Sequence, residues 1–218
     1  MRTPRRGSAY EQAEAAFKRA TTPPGSSEPV KPARPPEGKA VLPVAHALTL
    51  EEIPVVVEQF AKAARNAIAA GLDGVEVHGA NGYLVHQFLS PASNVRDDEY
   101  GGAPANRARF AIEVTRAVAD AVGADRTGIR LSPQHGIQGA LEDDADDALS
   151  TYLAVAEGLA PLELAFLDVL HIDPASELVQ SIRRAAGAPL IVNRGFAASS
   201  TREAAEGLLA GGWADAVA

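Results

Sequence analysis

The sequence predicts an α/β fold built on a parallel sheet, and three observations carry that prediction. Five short apolar runs recur along the chain, a helix-length segment precedes each of them, and Gly or Pro marks most of the turns between. Strands that alternate with helices in this way run parallel through right-handed crossovers, which gives either an open doubly wound sheet or part of a (β/α) barrel. Periodicity leaves both open. In either architecture the chemistry sits at the carboxyl ends of the strands.

The elements follow in order. Thr49 is suited to an N-cap, with Glu51 and Glu52 in the first turn, and apolar residues then recur at helical spacing until Gly71 ends the helix. The run 74–77 has the length and branching of a buried parallel strand. A helix over 106–122 and a turn at 123–125 lead to a strand over 127–131. A helix over 145–158 leads to a strand over 166–171, a helix over 175–186 to a strand over 189–193, and a helix over 200–210 to a strand over 214–218. Residues 1–47 form a separate basic leader, with a short helix expected at 10–20. The stretch 21–43 is too rich in Pro, Gly, Ser and Lys to bury a core, so an irregular loop is expected there. The barrel-like domain is expected over 48–218.

Composition narrows the function. The net charge is −8, yet the first forty residues carry eight Lys/Arg against four Asp/Glu, leaving twelve against twenty-four in the rest. An acidic body does not suit phosphate neutralisation, so nucleic acid is not an expected partner. No apolar run approaches the roughly 20 residues of a membrane span, and no apolar segment follows Arg2, Arg5 and Arg6 as a signal would require. The absence of Cys removes thiol chemistry and fits a reducing compartment, which makes a cytoplasmic protein the expectation.

The chemistry-bearing cluster follows the first clear strand. Glu76 and His78 lie two residues apart and project to one side of the strand, with His78 at its carboxyl end. Gly79 and Gly82 permit a tight turn that presents Asn81 and Tyr83 near His78. An imidazole and an amide can both donate to a carbonyl or phenolate oxygen, and a phenol can deliver a proton to a carbanion. Taken singly, His78 reads as a core histidine, Asn81 as a turn residue and Tyr83 as packing. Their order and spacing directly after a strand favour a site.

The run Asp73-Gly-Val-Glu-Val-His-Gly-Ala-Asn-Gly-Tyr-Leu-Val-His-Gln-Phe-Leu-Ser-Pro91 continues through Ser93-Asn94, Arg96, Asp98-Glu-Tyr-Gly-Gly102, Asn106-Arg107, Arg109-Phe110 and Gly128-Ile-Arg-Leu-Ser-Pro133. Together these segments resemble the old yellow enzyme family, over about 48–218, strongly up to Pro133 and more loosely beyond. The resemblance implies a (β/α)8 TIM-barrel fold, here an incomplete barrel of about five βα units without the first three strands or the closing end. It further implies FMN as cofactor, NAD(P)H as reductant, and hydride transfer to an activated C=C bond of an α,β-unsaturated carbonyl or a nitroalkene. His78 and Asn81 then hold the acceptor oxygen, Tyr83 is the proton donor, and Arg130 contacts the flavin. Arg194 and Gly195, before Phe196, stand where many members have paired glycines, and are expected to take part in phosphate binding. Arg130 reads otherwise as half of a salt bridge, and Arg194-Gly195 as a plain turn.

The loop 90–102, with Asn94, Arg96 and Asp98, is expected to be a structural clasp without chemistry. Glu142, Asp143, Asp144, Asp146 and Asp147 precede a helix and suit its dipole better than a cation, while His171 and Asp173 fit a strand end and helix cap better than a metal pair, so no metal is expected. Homo-oligomerisation stays open. The rival from another class is a truncated, noncatalytic barrel fragment unable to retain FMN.

Overall fold

The computed structural model describes residues 46–195 and 201–218. The expected helix at 10–20, the loop at 21–43 and Phe196 lie outside the described residues.

Helix α1 (Glu52–Ala69) opens on a reciprocal cap: Thr49 Oγ1 accepts the Glu52 N–H at 3.2 Å, and the Glu52 carboxylate accepts the Thr49 N–H at 2.8 Å. Strand β1 (Val75–Gly79) follows, running two residues further than its apolar run suggests, and leads into a six-residue helix α2 (Leu84–Leu89). That helix escapes a periodicity reading because Leu84, Val85, His86, Phe88 and Leu89 are all buried, leaving no polar face to alternate with. Next come α3 (Pro104–Val122), β2 (Thr127–Leu131), α4 (Ala145–Leu159), β3 (Phe166–Leu170), α5 (Glu177–Ala186), β4 (Leu190–Asn193), α6 (Arg202–Ala210) and β5 (Ala216–Val217).

The strand order decides between the two expected architectures. All neighbours are parallel and the order is β1-β2-β3-β4-β5, with no reversal. A doubly wound sheet reverses at a switch point, whereas a (β/α) barrel wall runs sequentially. The described sheet is a barrel wall, with α1, α3, α4 and α5 packed side by side as its outer layer.

The two faces of the wall differ sharply. Toward the helices stand Val77, Ile129, Leu131, Leu167, Val169, Leu190 and Val192, none more than 3% exposed, packed with Val114, Val118, Val155, Leu159, Val179 and Ile182. Each such burial contributes about 1.5–3 kcal/mol. On the opposite face the register aligns Glu76 with Gly128 and Phe166, and one layer up His78 with Arg130 and Asp168. Gly128 keeps the lower layer open, since a Cβ there would fall 2.4 Å from the Phe166 ring.

The segment between α2 and α3 is a clasp, as expected. Asn94, 4% exposed, donates from Nδ2 to the carbonyls of Phe88 and Tyr100, both at 2.7 Å. Arg96 reaches the Leu48 carbonyl at 2.7 Å and Tyr100 donates to Glu113 at 2.9 Å. Buried Arg107 binds the carbonyls of Leu89 and Gly102, the Asp147 carboxylate and the Thr151 hydroxyl, tying α2, the clasp and α4 together.

Candidate active site

At the carboxyl end of β1 the chain makes the turn that its glycines permit. Asn81 (φ 56°) and Gly82 (φ 72°) are both left-handed, and a Cβ on Gly82 would lie 2.4 Å from the Ile137 carbonyl oxygen, so only glycine fits. The turn returns Tyr83 over β1, and its ring centroid lies 5.1 Å from that of His78. Tyr83 remains 39% exposed, so its phenol is within reach of a ligand.

His78, Arg130 and Asp168 form one layer across β1, β2 and β3. Arg130 and Asp168 pair at 3.3 Å, which realises the salt bridge weighed for Arg130 from sequence. The pair is not saturated: Arg130 Nε and Asp168 Oδ1 are buried without a hydrogen-bond partner in the protein, and so are Asn81 Oδ1 and His135 Nε2. These four atoms lie on β1, β2 and β3 or just beyond them, and buried polar atoms left unpaired cost about 1–3 kcal/mol each.

Electrostatics follow from burial and the Arg130 cation. Burial holds His78 below the ordinary imidazole range, with the charge of Arg130 adding to the effect, so the neutral ring, able to donate one N–H, is favoured. Burial likewise raises Asp168, against the opposing pull of Arg130. Glu76 is raised by burial and by its neighbour Asp168.

Arg194 and Gly195 stand at the end of β4, away from this layer in the sheet order. Arg194 Nε donates to the Ile172 carbonyl at 3.3 Å, and the Gly195 N–H donates to Asn193 Oδ1 at 2.7 Å. An incoming phosphate therefore competes with the Asn193 side chain for that amide. The His171 ring accepts the Asp173 N–H at 3.1 Å, and Ser176 caps α5, in line with a strand end and helix start. No group of three or more His, Asp or Glu among the described residues is placed to hold a metal ion.

One part of the sequence reading needs correction. Asp144 does cap α4, accepting from the amides of Asp146 and Asp147, but Glu142 is not a dipole residue. It is 6% exposed and turned inward, where it accepts from Tyr152 Oη at 2.9 Å and from the Gln134 N–H at 2.6 Å, and contacts His86 Nε2 at 3.2 Å. His86, fully buried on α2, also escaped the sequence reading. The signal available was its place four residues beyond Gly82, the spacing at which a side chain can reach back to the amide opening a turn.

Comparison with known proteins places this geometry. Residues 7–214 match the NADH:flavin oxidoreductase / NADH oxidase family. The chain is 51% identical over 131 residues to a probable flavin mononucleotide-dependent alkene reductase of Leishmania infantum, covering 60% of this chain and 35% of that protein. It is 41% identical over 177 residues to 12-oxophytodienoate reductase 1 of Oryza sativa subsp. japonica, covering 78% and 46%. Among solved structures, the old yellow enzyme homologue from Zymomonas mobilis superposes with a TM-score of 0.79 at 36% identity, over 91% of this chain and 56% of that one. The fold is thus a flavin-oxidoreductase barrel wall. The chain belongs to the NADH:flavin oxidoreductase / NADH oxidase family, whose cofactor is FMN and whose reductant is NAD(P)H. It spans about half the length, or less, of the curated relatives it matches. No helix among the described residues is long and apolar enough to cross a membrane.

The residues present fit a flavin. The unpartnered Arg130 Nε, in a layer with a neutral histidine, supplies a donor and a positive charge suited to an electron-rich ring.

Proposed function

We propose that the chain acts as an FMN-dependent ene-reductase, using NAD(P)H to reduce the activated C=C bond of an α,β-unsaturated carbonyl compound or a nitroalkene. The observation that carries this reading is the layer of neutral His78 beside half-paired Arg130, with the Tyr83 ring 5.1 Å from that of His78. Arg130, whose Nε has no protein partner, would hold the flavin, and Arg194 with Gly195 would take its phosphate once Asn193 yields the Gly195 amide. FMN, when bound, would supply a hydride derived from NAD(P)H, and hydride addition to the alkene would leave negative charge on the substrate oxygen.

The protein's own groups then account for the rest. His78 and the Asn81 side chain donate to that oxygen, polarising the alkene before reaction and stabilising the charge that develops. For Asn81 this requires its amide NH2 toward the ligand; the unpartnered buried atom assigned as Oδ1 marks the end of the side chain not claimed by protein. Tyr83, exposed at the turn, delivers a proton to the alkene carbon that does not receive the hydride.

The roles separate experimentally. Tyr83→Phe is expected to slow alkene reduction by roughly 10²-fold or more while leaving flavin reduction by NAD(P)H unchanged, measured as two stopped-flow half-reactions. Equal losses in both would refute the assigned proton donor.

A further inference from the structure

We propose that Glu142, acting through His86 and Ser132, is the positioning residue that fixes the Asn81–Gly82 turn over the end of β1. The claim that this turn binds substrate rests on the reading above; the claim that Glu142 holds it does not.

The connections run in one direction from a buried carboxylate to two backbone amides. His86 Nδ1 accepts the Gly82 N–H at 2.9 Å, so the ring proton resides on Nε2, which donates to Glu142 Oε1 at 3.2 Å. Ser132, at the end of β2, accepts the Asn81 N–H on Oγ at 2.8 Å and directs its own hydrogen toward His86 Nδ1 at 3.4 Å. The imidazole therefore serves both amides of a strained turn, one directly and one through a hydroxyl. Asn81 is a non-glycine residue at φ 56°, a left-handed conformation that Asn tolerates better than most residues and that these contacts hold in place.

Glu142 also governs the opposing loop. Its Oε2 accepts the Gln134 N–H at 2.6 Å, and from that loop Gln138 Nε2 donates to the Asn81 carbonyl at 3.1 Å while the Ile137 carbonyl closes over Gly82. One carboxylate thus anchors the loop that carries Asn81 and Tyr83 and the loop that covers it. Tyr152 of α4 completes the set, donating to Oε1 at 2.9 Å. Side chains of His86 and Glu142 are 0% and 2% exposed, so the network is sealed from water, where its hydrogen bonds are strong and their loss is felt in full.

The test uses the full chain and two readouts. Amide hydrogen exchange by NMR follows Asn81 and Gly82, and binding of 4-nitrophenol to the FMN-titrated protein follows the oxygen site. His86→Leu and Glu142→Gln are each expected to speed exchange at both amides at least tenfold, with β2 and β3 amides within twofold of wild type. Both variants should also raise the Kd for 4-nitrophenol at least tenfold while that for FMN stays within twofold. His86→Asn, whose Oδ1 can replace Nδ1 as acceptor, should restore Gly82 protection to within threefold, and adding Glu142→Gln, whose carboxamide oxygen still accepts the Gln134 N–H and so keeps the covering loop anchored, should change Gly82 exchange no further. Unchanged exchange in His86→Leu would overturn the proposal. So would a Glu142→Gln effect that persists in His86→Asn, or a uniform loss of protection across β1 to β3 in His86→Asn, which marks ordinary core packing. If wild type binds FMN but not 4-nitrophenol, the functional reading falls, and the exchange measurements still decide the role of Glu142.

Discussion

His78 shows how one residue's environment sets both its chemistry and its pH response. Burial first, then the Arg130 charge, hold its folded-state pKa below the ordinary 6.5. An unfolded chain therefore binds a proton at this residue more readily, so the His78 contribution to stability is fully present above pH 6.5 and declines as the pH falls below it. Glu76 and Asp168 act with the opposite sign, because their raised values make the folded state the better proton acceptor: their contribution declines as the pH rises above 4.5 and 3.8 respectively. The direct check is an NMR titration of the His78 ring. Its midpoint is expected below 6.5, and Arg130→Gln is expected to move it upward by removing the neighbouring positive charge. A midpoint that stays put in the variant would show that Arg130 does not act on His78. These directions were not legible in the sequence, because Arg130 and Asp168 reach His78 only through strand register.

The elements themselves were largely legible, and the exceptions share a cause. Helices α1, α3, α4 and α5 and the five strands begin and end within a few residues of where caps, glycines and apolar runs put them. Helix α2 was missed because it is buried on nearly every side, and Glu142 was misread because its acidic neighbours lie on a solvated helix start while it alone turns inward. Both failures concern tertiary environment, which periodicity does not encode. Two substitutions test the local architecture. Gly82→Ala must place a Cβ 2.4 Å from the Ile137 oxygen at φ 72°, and is expected to cost at least about 1–2 kcal/mol by urea unfolding from the left-handed backbone alone. Asn94→Ala leaves the carbonyls of Phe88 and Tyr100 without their shared donor, and about 2 kcal/mol is expected in the same measurement. A loss under 0.5 kcal/mol for Asn94→Ala would show that the clasp contributes little to holding α2 and α3.

At the scale of the whole molecule, sequential parallel order makes the sheet a barrel wall whose outer face is sealed by helices and whose inner face carries the polar layer of His78, Arg130 and Asp168. The chain's relatives give the class of chemistry, and the wall carries a half-paired arginine beside His78 toward its strand ends. The most direct measurement is a titration of the purified chain with FMN, followed by the visible spectrum and flavin fluorescence. Saturable binding at one flavin per chain, with the bound flavin bleached by NAD(P)H and the affinity weakened at least tenfold in Arg130→Leu, is the expected result. Flavin whose absorption and fluorescence stay those of free FMN throughout the titration would contradict the assignment of this layer to FMN and with it the proposed reaction.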